Sequence, residues 1–132
     1  MSNAENINVC IRLRPLNQRE KDNNDYNTWN IEQNTLTNKK NSKIFYTYDR
    51  IYDETHDTSI IYKELAKPII EDAIKGINGT IFAYGQTSSG KTYTMQGMTK
   101  LAIQDLFQAI NHEKENNNRE FVLKVIYTEI YN

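Results

Sequence analysis

The chain has 132 residues, 38% apolar and 25% charged, room for one small domain burying roughly 68–70% of its unfolded surface if it packs compactly. A net charge of -1 and a pI near 6.1 exclude a general attraction to nucleic acid or to an anionic membrane surface, and the apolar runs are too short to cross a bilayer. The single cysteine, Cys10, excludes an intrachain disulfide, and with no basic-then-apolar leader at the start a cytoplasmic address is expected.

Residues 7–16 alternate through Ile7, Val9, Ile11 and Leu13 before Pro15, a strand that ends by turning at Arg14 and Pro15. Residues 17–42 are polar and rich in Asn, and read as loop with short strands anchored by Trp29, Ile31 and Leu36. The 17 asparagines of the chain are scattered, which gives no low-complexity tract. The aromatic cluster Phe45, Tyr46, Tyr48 and Tyr52 favours a further strand. Apolar residues then recur at helical spacing from Ile60 to Ile77, with Thr58 or Ser59 as cap, Gly76 near the end, and a kink or two abutting helices at Pro68.

The run Thr80, Ile81, Phe82, Ala83, Tyr84 fits a buried strand. A helical pattern starts at Lys91, breaks near Gly97, resumes through Leu101, Leu106 and Ile110, and dissolves over residues 112–118; residues 121–131 read as a last strand. There is no internal repeat and no heptad run. Cys10 and Trp29 read as packing residues and His56 and His112 as solvent-facing, and no His, Cys or carboxylate spacing suits a structural metal.

Between the fourth apolar run and the next helix, Gly85, Gln86, Thr87, Ser88, Ser89, Gly90, Lys91 and Thr92 satisfy G-x-x-x-x-G-K-[ST]. At average composition the bare pattern arises in roughly one of a few hundred chains of this length, and its position between strand and helix lowers that further. Gly85 lets the chain leave the strand sharply, and Gly90 has no Cβ to hold the backbone away from phosphate oxygens. The amides of residues 87–92 can converge on a β-phosphate at the positive end of a helix, Lys91 can reach the β- and γ-phosphates, and the Thr92 hydroxyl is the Mg²⁺ ligand expected of such a loop. The competing reading is a flexible turn with an exposed lysine.

The segment from Asn78 to Met95, NGTIFAYGQTSSGKTYTM, resembles the kinesin signature over all eighteen positions. The resemblance extends to RLRPLN at residues 12–17, to YTYDRIY at residues 46–52 and to EIYN at residues 129–132, and so spans nearly the whole chain. It implies an α/β P-loop NTPase fold, part of a three-layer α/β sandwich with a central sheet flanked by helices, and makes residues 1–132 the N-terminal portion of a kinesin motor domain. It implies ATP and Mg²⁺ as ligands, a nucleotide-contacting set that adds Arg12, Arg14, Pro15 and Tyr93 to the phosphate loop, and adenine packed between Arg12, Pro15 and Tyr93. Microtubules are the implied partner, with a cytoskeletal location at the spindle or kinetochore, since residues 66–74 look most like the centromere-associated mitotic class. Dimerisation would need a stalk that the sequence does not contain.

Two departures from the family pattern stand out. After Gly97 the family has a longer loop and a G-[IV]-I-P-R segment, whereas here Met98, Thr99 and Lys100 lead directly into Leu101. Neither an NxxSSRSH nor a DLAGSE segment follows Asn132, so the expectation is nucleotide binding with little or no hydrolysis by this chain, and unpaired strand edges. Two other functions compete with the ATP-binding part of a motor: a non-catalytic nucleotide-binding fragment, and a small P-loop kinase, for which the segment after Leu101 offers one lid arginine, Arg119.

Overall fold

The computed structural model describes residues 7–117 and 120–130. Its first strand, β1 (Cys10–Arg12), is followed by a short helix α1 (Gln18–Asp22), a meander of β2 (Trp29–Glu32), β3 (Thr35–Asn38) and β4 (Asn41–Thr47), and β5 (Arg50–Tyr52). The chain then enters α2 (Thr58–Ile61), a π-helical turn (Tyr62–Ala66), α3 (Lys67–Ile74) and the long α4 (Lys91–Asn117).

β5 returns beside β1 in parallel, pairing Cys10 with Arg50, Ile11 with Ile51 and Arg12 with Tyr52. The ladder is extended by Leu13 N–H donating to the Tyr52 carbonyl at 2.7 Å. Ile51 and Tyr52 are buried, as strands in a parallel pair require. The meander between them forms a separate antiparallel sheet in the order β2-β3-β4, with Leu36 buried in its centre and Trp29 tilted against Tyr46 at 5.9 Å between ring centroids. Asn38 turns β3 into β4, its side chain accepting from the amides of Lys40 and Asn41 in the local geometry that suits Asn to turns.

The helix expected from Ile60 onward is capped one residue before Thr58, the earlier of the two predicted caps. Asp57 is the N-cap, accepting from Ile60 N–H at 3.0 Å. Pro68 has no N–H to give and its ring crowds the carbonyl four residues back. The strain is taken up upstream, where Lys67 N–H reaches the Tyr62 carbonyl five residues earlier and makes one π-helical turn. Where a kink or two abutting helices were expected at Pro68, α2, the π turn and α3 follow one another without a gap, as one helical path with a π turn in it.

Gly97 marks no break. α4 runs unbroken through it to Asn117, past the residues 112–117 where the helix was expected to dissolve. The glycine serves a close crossing instead: a Cβ there would lie 2.7 Å from Thr58 Cγ2, so its absence lets α4 pass against the start of α2. Around that crossing Tyr52, Ile61, Tyr62, Ala66 and Met98 form the core, with Cys10, Leu65, Ile81, Leu101 and Ala102 packed on it. The Tyr62 hydroxyl donates to Asp105 at 3.0 Å and the Lys67 ammonium to the same carboxylate oxygen at 2.9 Å, tying the π turn and α3 to α4.

Two expected strands do not form. Residues 80–84 and 120–130 carry no strand, and Phe82, Tyr84, Val125 and Ile126 are largely exposed. A strand exists only where a neighbour completes its hydrogen bonds, and among the described residues no strand lies beside either segment. The chain is mixed α and β, yet the described residues do not assemble a central sheet flanked by helices. Tyr131 and Asn132, the end of the EIYN segment, lie outside the described residues, as does Arg119.

Candidate phosphate-binding site

Residues 80–84 lead into Gly85, where the backbone takes a φ of +155° and a Cβ would lie 2.6 Å from Ser89 Oγ. The loop then closes on itself. Ser89 N–H donates to the Gln86 carbonyl at 3.2 Å, Ser88 takes a left-handed φ of +64°, and Gly90 takes +97°. No atom stands within 4 Å of where a Gly90 Cβ would be, so its role here is backbone freedom rather than clearance within the chain.

α4 starts at Lys91, and the first backbone bond of its ladder is Thr94 N–H to the Gly90 carbonyl at 3.0 Å. The amides of Lys91, Thr92 and Tyr93 therefore precede that ladder, at the positive end of a 27-residue helix. The Lys91 ammonium folds back over the loop and donates to the carbonyls of Gly85 at 2.6 Å and Gln86 at 2.8 Å. A cation held over a ring of main chain beside such amides is suited to phosphate oxygens.

One cavity of about 760 Å³ joins Ser88, Ser89, Gly90 and Lys91 to Arg12, Arg14, Pro15 and Tyr93, a size proper to a small-molecule site. Arg12 is fixed there: Nη1 donates to Thr58 Oγ1 and to Thr94 Oγ1, each at 3.0 Å, and its guanidinium carbon stands 5.2 Å from the centre of the exposed Tyr93 ring. That places a cation and an aromatic face together, with Pro15 exposed on the same cavity. Gly85, Gln86, Thr87 and Thr92 do not line it. Thr92 faces the other side, on a more open groove shared with Lys91, Met95 and Tyr127.

For Mg²⁺ the described residues supply the exposed Thr92 hydroxyl, and they hold no cluster of three His, Cys, Asp or Glu groups.

Arg14 differs from the other predicted contacts. Its guanidinium makes a two-point pair with Glu20, Nη1 to Oε2 at 2.7 Å and Nη2 to Oε1 at 2.6 Å, and its Nε donates to the Ser88 carbonyl at 3.0 Å. The Arg14 side chain, followed by the Asn17 amide, pulls the Glu20 carboxyl down to about 2. Sequence reading passed over Glu20 and took Thr58 for a helix cap rather than a partner of Arg12. The signal for Glu20 was present in Asn17-Gln-Arg-Glu20, an N-cap followed three residues later by Glu: Asn17 Oδ1 accepts from Glu20 N–H at 2.9 Å, and Glu20 Oε2 from Asn17 N–H at 2.8 Å.

On the far rim of the cavity His56 is half-buried rather than solvent-facing. Its ring stands edge-on to Tyr52 at 5.7 Å, with Nδ1 2.7 Å from Asp53 Oδ1. Asp53 is lowered to about 2, chiefly by the Thr55 hydroxyl and amide and then by His56. His112, also read as solvent-facing, is exposed on α4.

Residues 12–132 match the family described as kinesin motor domain. Centromere-associated protein E of Homo sapiens is 46% identical over 134 residues, covering 96% of this chain and 5% of that protein. Kinesin-like protein KIN-7G of Oryza sativa subsp. japonica is 43% identical over 134 residues, 97% of this chain and 14% of its own length. Kinesin-related protein 4 of Dictyostelium discoideum is 43% identical over 132 residues, 96% and 7% respectively. The chain thus spans a small fraction of each of these relatives.

Proposed function

Because this chain belongs to the kinesin motor domain family, we propose that it is the ATP-binding portion of a microtubule motor, which in a complete domain couples ATP hydrolysis to movement along microtubules. The observation that carries the reading is the closed loop of residues 85–92, with the Lys91 ammonium across it, opening onto the cavity where Arg12 and Tyr93 lie together.

The loop amides and Lys91 bind the phosphates, and Arg12, Pro15 and Tyr93 pack around the adenine. Thr92, on the groove that shares Lys91 with the cavity, would hold Mg²⁺, which when bound neutralises phosphate charge. When ATP enters, Lys91 exchanges its two carbonyl acceptors for phosphate oxygens. That exchange replaces neutral acceptors by charged ones, which is where binding energy arises.

Hydrolysis needs a placed water and further charge stabilisation. Among the described residues no carboxylate is hydrogen-bonded to the loop, which favours, as a second reading of the chain taken alone, nucleotide binding without turnover.

Titration with a fluorescent ATP analogue and Mg²⁺, alongside phosphate release, tests both. Saturable binding that falls at least tenfold in Lys91→Ala is expected, with phosphate release near background. Equal binding by wild type and Lys91→Ala would overturn the assignment. Microtubules are the proposed partner, and the 46% identity to a centromere-associated protein supports a spindle or kinetochore location. No helix of the described residues is long and apolar enough to cross a membrane.

A further inference from the structure

We infer that Arg14 is a positioning residue for the phosphate loop rather than a nucleotide contact, and that Glu20 and the Asn17 capping box complete the device. This rests on the phosphate-binding reading of residues 85–92. Three observations converge on it.

First, four of the five N–H donors of Arg14 are engaged. Nη1 and Nη2 hold the two oxygens of Glu20, Nη1 also reaches the Pro15 carbonyl at 2.9 Å, and Nε holds the Ser88 carbonyl. A planar guanidinium engaged on both edges in this way has a fixed orientation.

Second, the residue it holds is the strained one. Ser88 is the only non-glycine in the loop with a positive φ, +64°, a conformation disfavoured for a side chain with a Cβ and kept only where surrounding contacts over-determine it. The Arg14 bond to the Ser88 carbonyl fixes the peptide plane that leads into Ser89 and Gly90.

Third, the carboxylate that orients Arg14 is itself fixed by main chain. Glu20 Oε2 accepts from the Asn17 amide while the Asn17 side chain accepts from the Glu20 amide. The path therefore runs from the first turn of α1, through Glu20 and Arg14, to Ser88, 74 residues beyond Arg14. Arg12, two residues away, is held by Thr58 and Thr94 and stands on Tyr93. Both arginines of the RLRP segment line the cavity, but their bonds give them different duties: Arg12 stands on Tyr93, and Arg14 shapes the loop.

Glu20→Gln separates this assignment from its rival. If Arg14 touched the nucleotide, removing the acidic competitor would free the guanidinium and strengthen ATP binding. If Arg14 positions Ser88, the same change weakens binding. The expected result is about threefold to tenfold weaker binding of a fluorescent ATP analogue by Glu20→Gln and by Arg14→Lys. The double variant should lose no more than the larger single loss, because both act on one linkage.

Hydrogen exchange without nucleotide supplies a readout that does not depend on ATP. Amides of residues 87–90 should exchange faster in both variants, while those of α3 and the centre of α4 keep wild-type rates. Unchanged or tighter binding by Glu20→Gln, unchanged loop exchange, or acceleration spread equally over α3 and α4 would each overturn the assignment. If wild type and Lys91→Ala bind the analogue equally, the phosphate reading has failed, and loop exchange still decides whether Arg14 holds Ser88.

Discussion

At Gly90 the backbone φ is +97° and the space around a notional Cβ is open, so substitution there acts through conformation and not through collision. Gly90→Ala should cost about 1–2 kcal/mol of local strain. In a loop that can relax away from its binding shape, that cost appears as weaker nucleotide binding with little change in melting temperature. A titration paired with a thermal melt checks this, and a large drop in melting temperature at unchanged affinity would contradict it. Gly85→Ala differs, because its Cβ would meet Ser89 Oγ at 2.6 Å and Ser89 Cβ at 3.2 Å, so the Ser89 side chain must move to admit it. The glycines and the lysine were legible in the sequence because their chemistry is local, set by spacing within eight residues. The duty of Arg14 was not, since its loop partner is 74 positions away and side chains at strand ends carry no mark of what they face.

Between elements, the crossing of α2 and α4 shows why helices were easier to read than their interruptions. The apolar period of α4 is a local property, and it was legible from Leu101 to Ile110. Whether Gly97 ends a helix or admits a neighbour depends on Thr58, which no local pattern reports. Gly97→Ala gains roughly 1 kcal/mol of helix propensity but forces a methyl to within 2.7 Å of Thr58 Cγ2, an overpacking that costs about 1–3 kcal/mol. The variant should be less stable than wild type, and adding Thr58→Ser, which removes that methyl and keeps the hydroxyl bound to Arg12, should restore most of the loss. Denaturation midpoints of the two variants decide the matter, and a failure of Thr58→Ser to help would place the strain elsewhere.

The contact of the π turn and α3 with α4 carries a pH signature. Asp105 is lowered chiefly by the Lys67 ammonium, Lys67 is raised by Asp105, and Tyr62 is pushed up to about 12 by burial and then by its bond to Asp105. A lowered carboxyl stabilises the fold above its unfolded pKa of about 3.9 and ceases to do so as pH falls through its folded value. A raised phenol or ammonium stabilises below an unfolded pKa of about 10 and is lost above. Asp105→Asn should therefore be less stable than wild type from about pH 5 to 9, with the difference shrinking below about pH 4. A difference that persists undiminished at pH 3 would show that the carboxylate charge is not what joins α3 and α4.

For the whole molecule, exposed area decides how cooperative the fold can be. A compact chain of 15.5 kDa should expose roughly 7,200 Å², yet this one exposes 11336 Å², over half as much again. Apolar side chains on residues 80–84 and 120–130 contribute to the excess: Phe82, Tyr84, Val125, Ile126 and Ile130 are each more than four-fifths exposed. Both segments were read as strands from their residues. What the sequence could not carry is the neighbour that turns an apolar extended run into a strand. A fully cooperative domain of this length would unfold with an enthalpy of about 90 kcal/mol. Calorimetry on residues 1–132 should instead give a broad transition with less than about half that value, since less surface is recovered from water, together with binding of a dye that reports exposed apolar surface. The core around Tyr52, Ile61, Tyr62 and Met98 should hold out longest against hydrogen exchange, because it combines burial with hydrogen bonds between elements. A sharp transition near 90 kcal/mol without dye binding would mean that residues 80–84 and 120–130 find partners in solution, and a concentration-dependent midpoint would identify those partners as other copies of the chain.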